Sequence, residues 1–325
     1  MTALRALVII TAAAIVILCG GCAVAVPDPV PEHRRWLTLP PDIRVLLDAP
    51  AAVDSTLPSA LILYALPNGN TIEMTAGRTM HEGLDWHYDI QHIAAQTRFL
   101  RAASKDRNIF VAYLETPQKS WPAWRRTNPD NASVIARTAD ILRFETGAMD
   151  NVTLSGHSGG GSFINGFLNA YDTLPAFVRR IAYLDANYSF DDDSLGHGRK
   201  LTHWLAEDTA RTLAVIAYDD REITLNGKKV VGPDGGTYRA TQRMLHSFRL
   251  RTSIDSSSAP PLTEWRGFGG QSRFIVHQNP DTLILHTVLV ERNGFIHAML
   301  LRTPQEEHGY RFYGERVYGR LIRSE

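Results

Sequence analysis

Cysteine is nearly absent from this 325-residue chain: Cys19 and Cys22 are the only two. Past residue 25 no disulfide can form and no thiol nucleophile exists, which removes the cysteine hydrolases. Charge of one sign is not in excess either. Lys plus Arg and Asp plus Glu both total 34, so there is no electrostatic case for nucleic acid or for an anionic membrane surface. No internal repeat is visible. With 44% hydrophobic and 21% charged residues, the composition supports a substantial core and excludes global disorder.

The N-terminus has a signal-peptide plan: a short cationic start to Arg5, an apolar stretch from Ala6 to Leu18, then small residues. Ala23-x-Ala25 suits ordinary cleavage before Val26. Gly21-Cys22 resembles a bacterial lipobox with Cys22 lipidated, although Cys19 stands where leucine is usual. An uncleaved anchor is a third reading, because Ala6 to Val26 is long enough to span a bilayer. All three readings place residues 1–25 as a signal or anchor and the domain outside the cytoplasm, as a periplasmic, envelope-bound or secreted protein. Residues 26–42 carry Pro27, Pro29, Pro31, Pro40 and Pro41 and read as an extended tether.

From residue 43 to 325 strands and helices alternate. The expected strands are Ile43–Leu47, Leu61–Leu66, Ile109–Leu114, Val152–Leu154, Ile181–Leu184, Leu213–Tyr218 and a last one at Leu283–Val290. Helices are expected after Asp85, after Asp130, after the glycine cluster at 156–161, over Tyr238–Leu250 and from His297. This alternation predicts an α/β fold, a mostly parallel doubly wound sheet with helices on both faces. Asn226-Gly227, between short β-prone runs, predicts a small hairpin insertion around 223–236.

The segment VTLSGHSGGGSF, residues 152–163, carries the chemistry. A P-loop would need lysine where Ser162 stands, and a dinucleotide fingerprint would need glycine where Ser158 stands. Gly156-His157-Ser158-Gly159-Gly160 instead matches Gly-x-Ser-x-Gly, a nucleophile elbow. Small residues two before and two after the serine allow the sharp bend, which exposes its Oγ and aims the Gly159 N–H at the same space. The bland alternative is a glycine-rich turn without chemistry.

A serine elbow followed by a strand-end acid and a late histidine resembles the α/β-hydrolase superfamily, over nearly everything from Ile43 onward. LYALPNGNT, DWHYDIQHIAAQTRFLR and ERNGFIHAML are similar to stretches of bacterial exported α/β-hydrolase-like proteins with no assigned substrate. The resemblance implies a Ser-acid-His triad and no cofactor. The acid belongs after the strand ending at Tyr218, where Asp220 is preferred, Asp219 is close behind and Asp185 is an alternative one strand earlier. The base is expected at His297, in the turn after the last strand; His286 reads as a packing residue within that strand and His308 as exposed. The second oxyanion donor is expected in Pro67-Asn68-Gly69-Asn70, with Asn70 first and Gly69 second. Asn68-Gly69 stands where many esterases have His-Gly.

Trp86, His87 and His157 are candidates for a substrate pocket, and Trp121, Trp124, Arg125 and Arg126 for a cap loop. His81, Asp85, His87 and His92 raise the question of metal. His87 and His92 are five apart, however, and point about 140° apart on a helix, so no metal is expected. The leading expectation is an exported serine esterase acting on a small-molecule ester or acylated substrate, touching membrane only through its N-terminus. Peptidase or amidase action on the same triad, and a binding protein that keeps the fold without catalysis, are the competing readings.

Overall fold

A computed structural model describes residues 31–324. The expected signal or anchor, with Cys22 and both processing sites, lies outside the described residues.

Twelve strands are described: β1 (Glu32–Leu39), β2 (Ile43–Pro50), β3 (Ser59–Ala65), β4 (Asn108–Glu115), β5 (Val152–His157), β6 (Val178–Leu184), β7 (Thr212–Tyr218), β8 (Thr224–Leu225), β9 (Lys228–Lys229), β10 (Ile254–Ala259), β11 (Leu262–Gly267) and β12 (Ser272–His277). Ten form one sheet in the order β1-β2-β4-β3-β5-β6-β7-β12-β11-β10. From β4 to β12 neighbouring strands run parallel, whereas β1, β2, β11 and β10 pair antiparallel at the two edges. The α-helices are α1 (Ile72–Ala76), α2 (Ile93–Ala103), α3 (Trp121–Thr127), α4 (Asn131–Thr146), α5 (Gly161–Asn169), α6 (His197–Glu207), α7 (Thr237–Arg249) and α8 (Phe295–Leu300).

The central strands are largely apolar because both faces are covered, and the two-residue period divides their side chains between two cores. Leu61 and Leu63 of β3, with Leu213 and Val215 of β7, join the core under α3 to α7. Ile62, Tyr64, Ala214 and Ile216 alternate with them and enter the core under α1, α2 and α8. This is the expected doubly wound sheet. The hairpin insertion is also present: β8 pairs β9 across Asn226-Gly227, both with positive φ.

Three expectations about elements are corrected. Residues 32–39 are not a tether but the edge strand β1, paired with β2 from Glu32↔Pro50 to Leu39↔Ile43. Its charges are used inward: Glu32 accepts from Arg98 of α2, and Arg34 reaches the buried Asp48 of β2 at 3.2 Å. The expected helix after Asp85 is broken. Asp85 caps a 3-10 turn at Trp86–Asp89, and α2 starts only after His92, whose φ is +45°. Finally, the last strand of the sheet is not Leu283–Val290 but β12, which starts eleven residues earlier in the chain. Pro280-Asp281 starts a turn, and Leu285, Leu289 and Val290 are buried at helical spacing, with the Leu289 N–H donating to the Leu285 carbonyl at 3.0 Å. A short apolar run fits either period, and here the helical one holds.

Candidate active site

The elbow occupies the carboxyl end of β5, in the middle of the sheet. Ser158 has φ +53°, a left-handed conformation that costs a side-chain-bearing residue on the order of 1–3 kcal/mol. The turn that imposes it is tight. A Cβ on Gly160 would lie 2.1 Å from the Ala65 carbonyl oxygen of β3, and one on Gly156 would lie 2.7 Å from the Gly160 backbone. No side chain fits at either place, which is the physical content of the Gly-x-Ser-x-Gly spacing. Residues Ser158–Gly160 form a 3-10 turn leading into α5. The Gly159 N–H therefore precedes the first intrahelical bond and faces outward with the other unpaired amides of a helix start.

The loop after β3 lies against this turn, since a Cβ on Gly159 would strike the Asn68 side chain. Asn70 is buried there, and its N–H makes only a long 3.4 Å contact with the Pro67 carbonyl. The Gly69 N–H is committed to the Lys119 carbonyl at 2.8 Å. Of the two amides expected to serve an oxyanion, Asn70 has the less engaged one.

The histidine near the elbow is His286. Because β12 ends at His277, His286 lies in the connection after the last strand rather than inside it. Its Nδ1 is 2.5 Å from Oδ2 of Asp185, just past the end of β6. That bond fixes the proton on Nδ1 and leaves Nε2 with a free lone pair. The ring lies 4.6 Å from that of His157, the residue preceding Ser158. His157 is no pocket wall. It is buried, and its Nε2 is 3.0 Å from the His286 carbonyl, so it ties the histidine loop to the elbow strand. Burial, and then the neighbouring His286, hold the His157 imidazole well below its usual range, so it donates as a neutral ring. Tyr188, three residues after Asp185, completes the cluster. Its hydroxyl stands beside Ser158 and 3.4 Å from His286 Nδ1. Burial and the nearby Asp185 raise the Tyr188 pKa, so the phenol remains a neutral donor. No hydrogen bond joins Ser158 directly to His286 in this structure.

Asp220, the preferred acid, is next door but turned to another task. Its carboxylate accepts the Thr237 N–H at 2.7 Å and the Tyr238 N–H at 3.4 Å, capping α7. Thr237 Oγ1 donates to Asp185 and lies 3.3 Å from Asp220, so one hydroxyl connects the two acids. Burial, and then the charge of Asp185, push Asp220 up to about 6. Asp219 pairs with Arg221 at 2.6 Å. Asp185, the alternative acid in the sequence, holds the histidine, and Asp220, the preferred one, caps α7.

His297 is not brought to Ser158. It lies on α8, its Nδ1 3.2 Å from the Tyr310 hydroxyl and its ring stacked on Phe312 at 4.8 Å. The following turn of α8 is held by Arg180, near the start of β6, which donates to the carbonyls of Ala298 and Leu301. That is the amino end of the sheet, opposite Asp185 and Ser158. Burial pushes the His297 imidazole down to about 4, against about 6.5 in an unfolded chain. The folded state binds this proton more weakly, so the stability it confers is complete above about pH 6.5 and is lost as pH falls toward 4. The span corresponds to roughly 3 kcal/mol. His197, also pushed to about 4 by burial and then by Lys200, adds to the slope, whereas the raised pKa of Asp220 opposes it between about 4 and 6. His297→Leu is expected to give a shallower loss of urea-midpoint stability between pH 6.5 and 4 than the parent. Equal slopes would show that His297 takes up its proton without cost.

Trp86 and His87 stack on each other at 3.9 Å, with Trp86 62% exposed and His87 bound by Asp85; neither bonds to Ser158, Asp185 or His286. His92 is buried and bonds Asp89 at 2.8 Å. Trp121 and Trp124 are core residues of α3 rather than a cap loop. Among the described residues no group of three His, Cys, Asp or Glu is placed to hold a metal ion. Sequence reasoning passed over Tyr188, for which no motif exists, and the pairing of Asp185 with His286. The signal for the second was the turn chemistry at Pro280-Asp281, which lies between the end of β12 and His286.

The strand order, with its antiparallel second strand and its serine elbow after β5, defines the architecture. The chain has the α/β-hydrolase fold. No family model matches the sequence, and no curated protein matches it. Among solved structures it is similar to a thermostable esterase (14% identity, 77% of this chain and 55% of that one, TM-score 0.42), so it spans about half the length of that relative. It is likewise similar to a predicted CIB-like hydrolase from Thermoplasma acidophilum (10% identity, 84% and 98%, TM-score 0.44). A third is a feruloyl esterase module from Clostridium thermocellum (7% identity, 83% and 91%, TM-score 0.45).

Proposed function

We propose that this chain is a serine hydrolase that cleaves a carboxylic ester through an acyl-enzyme, with Ser158 as nucleophile, His286 as base and Asp185 as the acid that orients it. The observation that carries this reading is the Asp185–His286 pair, seated over the residue next to a serine strained at φ +53°. A serine hydroxyl needs a base, and a histidine whose Nδ1–H is held by a carboxylate presents Nε2 for that purpose. On substrate binding, Nε2 takes the Ser158 proton as Oγ attacks the carbonyl carbon. The resulting oxyanion is met by the N–H groups of Gly159 and Asn70. Collapse expels the alcohol, which takes the proton from Nε2, and water then repeats the sequence to release the acid. The Tyr188 hydroxyl, beside Ser158 in the free protein, gives way to substrate or turns its donor toward it. The signal-like N-terminus supports a site of action outside the cytoplasm.

The test is labelling with a fluorophosphonate and hydrolysis of p-nitrophenyl esters beside p-nitroanilides. Labelling and ester turnover that both disappear in Ser158→Ala, with the fold intact, are expected. Labelling that survives Ser158→Ala would move the nucleophile elsewhere, and anilides cleaved in preference to esters would replace the ester assignment by amide hydrolysis.

A further inference from the structure

The amino end of the sheet, opposite the elbow, holds a cavity of about 1000 Å³ between the α2–β4 connection, the start of β6 and the chain after α8. One wall is apolar, formed by Ile62, Leu100, Ile109 and Met299. The other carries Arg107, Arg180 and Arg302. Arg107 is matched by Asp106 at 2.6 Å. Arg180 and Arg302 are not matched: among the described residues neither has a carboxylate within ion-pair distance, and their acceptors are neutral. Arg180 uses two of its five N–H donors, on the Ala298 and Leu301 carbonyls at 2.9 and 2.8 Å. Arg302 bonds the Arg211 and Thr209 carbonyls at 2.9 and 3.0 Å. Backbone capping explains these hydrogen bonds, and Glu306, itself paired with Arg273 at 3.1 Å, offsets the two like charges only in part beside an apolar surface, which is costly in a poorly solvated place.

We infer that this cavity binds an organic anion, a carboxylate or phosphate head on an apolar body, with Arg180 and Arg302 on the head and the Ile62–Met299 wall against the body. A planar guanidinium with free donors matches a carboxylate or phosphate oxygen pair, and an apolar wall beside a small number of polar anchors is the usual make-up of a ligand site. Burial, and then repulsion from Arg107 and Arg302, lower the Arg180 pKa to about 10, and a bound anion reverses that repulsion. The site does not depend on the esterase reading, since it shares no residue with the elbow cluster.

The experiment is calorimetric titration of the purified full chain, labelled at Ser158 or carrying Ser158→Ala, with dodecyl phosphate and dodecanoate below their micelle concentrations. Inorganic phosphate and dodecanol serve as controls. Saturable one-site binding of the two amphiphiles is expected. Inorganic phosphate should bind roughly tenfold or more weakly, and dodecanol should not bind. Arg302→Gln should weaken the amphiphiles about tenfold, the effect of losing a charge-assisted contact. Arg107→Gln, a rim substitution that leaves the capping bonds in place, should weaken them by a smaller factor if Arg302→Gln does not fold. Dodecanol binding as well as dodecyl phosphate would overturn the anion assignment. Inorganic phosphate binding as well as the amphiphiles would overturn the apolar body, and binding unchanged in both arginine variants would overturn the site.

Discussion

His286→Ala is expected to abolish ester hydrolysis as completely as Ser158→Ala, while His297→Ala keeps the parent turnover per folded molecule. The contrast is expected to be large because only one of these histidines lies beside the elbow, its ring 4.6 Å from that of His157. His286 is oriented by a carboxylate at 2.5 Å, and a third of its side chain or less is exposed, at 27%, so substrate and solvent reach it. His297 is 4% exposed, stacked under Phe312, on a helix tied to the opposite end of the sheet. Losing the base leaves Ser158 a neutral alcohol, and what remains is the contribution of binding and the oxyanion donors. His297→Ala instead leaves a cavity and lowers thermal stability, so the two variants should separate on kcat and Tm. Initial rates of p-nitrophenyl acetate hydrolysis, scaled to folded protein by circular dichroism, decide the matter. Full activity in His286→Ala would remove the proposed base.

Asp185→Asn is expected to lower kcat by about 10⁴-fold, the loss that follows when a triad histidine loses its orienting carboxylate and adopts the wrong tautomer. Asp220→Asn should cost far less. An asparagine at 220 retains one acceptor oxygen for the 2.7 Å bond from the Thr237 amide and gives up the 3.4 Å contact with Tyr238 on the other oxygen, so the main bond of the α7 cap survives. Removing the second acid also takes a negative charge away from Asp185. Folded Asp220 has a pKa raised to about 6 by burial and by Asp185, so its ionisation weakens the fold as pH rises through that value. Asp220→Asn abolishes this dependence and should raise stability at pH 7 relative to pH 5, compared with the parent. kcat for both variants, with denaturation midpoints at the two pH values, tests the assignment. If Asp220→Asn lost the greater activity, Asp220 would be the orienting acid and Asp185 its support.

The elbow was legible in the sequence because its demands are local. A serine at positive φ needs bare backbone at Gly156 and Gly160, and those contacts arise within one strand-turn-helix unit and its neighbour β3. The doubly wound sheet was equally legible, since strands buried on both faces carry long apolar runs, as residues 60–65 of β3 and 213–218 of β7 do. The edges were not. β1 is rich in charge because an edge strand needs apolar residues on only part of its surface, and its arginines find partners on β2 and elsewhere in the fold that no local pattern reveals.

The sequence by itself determined that Ser158 would stand in a glycine-flanked turn at the carboxyl end of a central parallel strand, with no cysteine after residue 22. Tertiary structure decided which acid and which histidine stand beside it. Asp185 and His286 are 101 residues apart, and their meeting depends on where the sheet ends its last strand. Moving that strand from 283–290 to 272–277 turns His286 from a packing residue into a loop residue above the elbow, and it places His297 on a buried helix. Asp185 and Asp220 were alike in sequence, both closing a parallel strand. Only the start of α7, which needs its amide groups capped, takes Asp220 away from the histidine and leaves Asp185 to hold it.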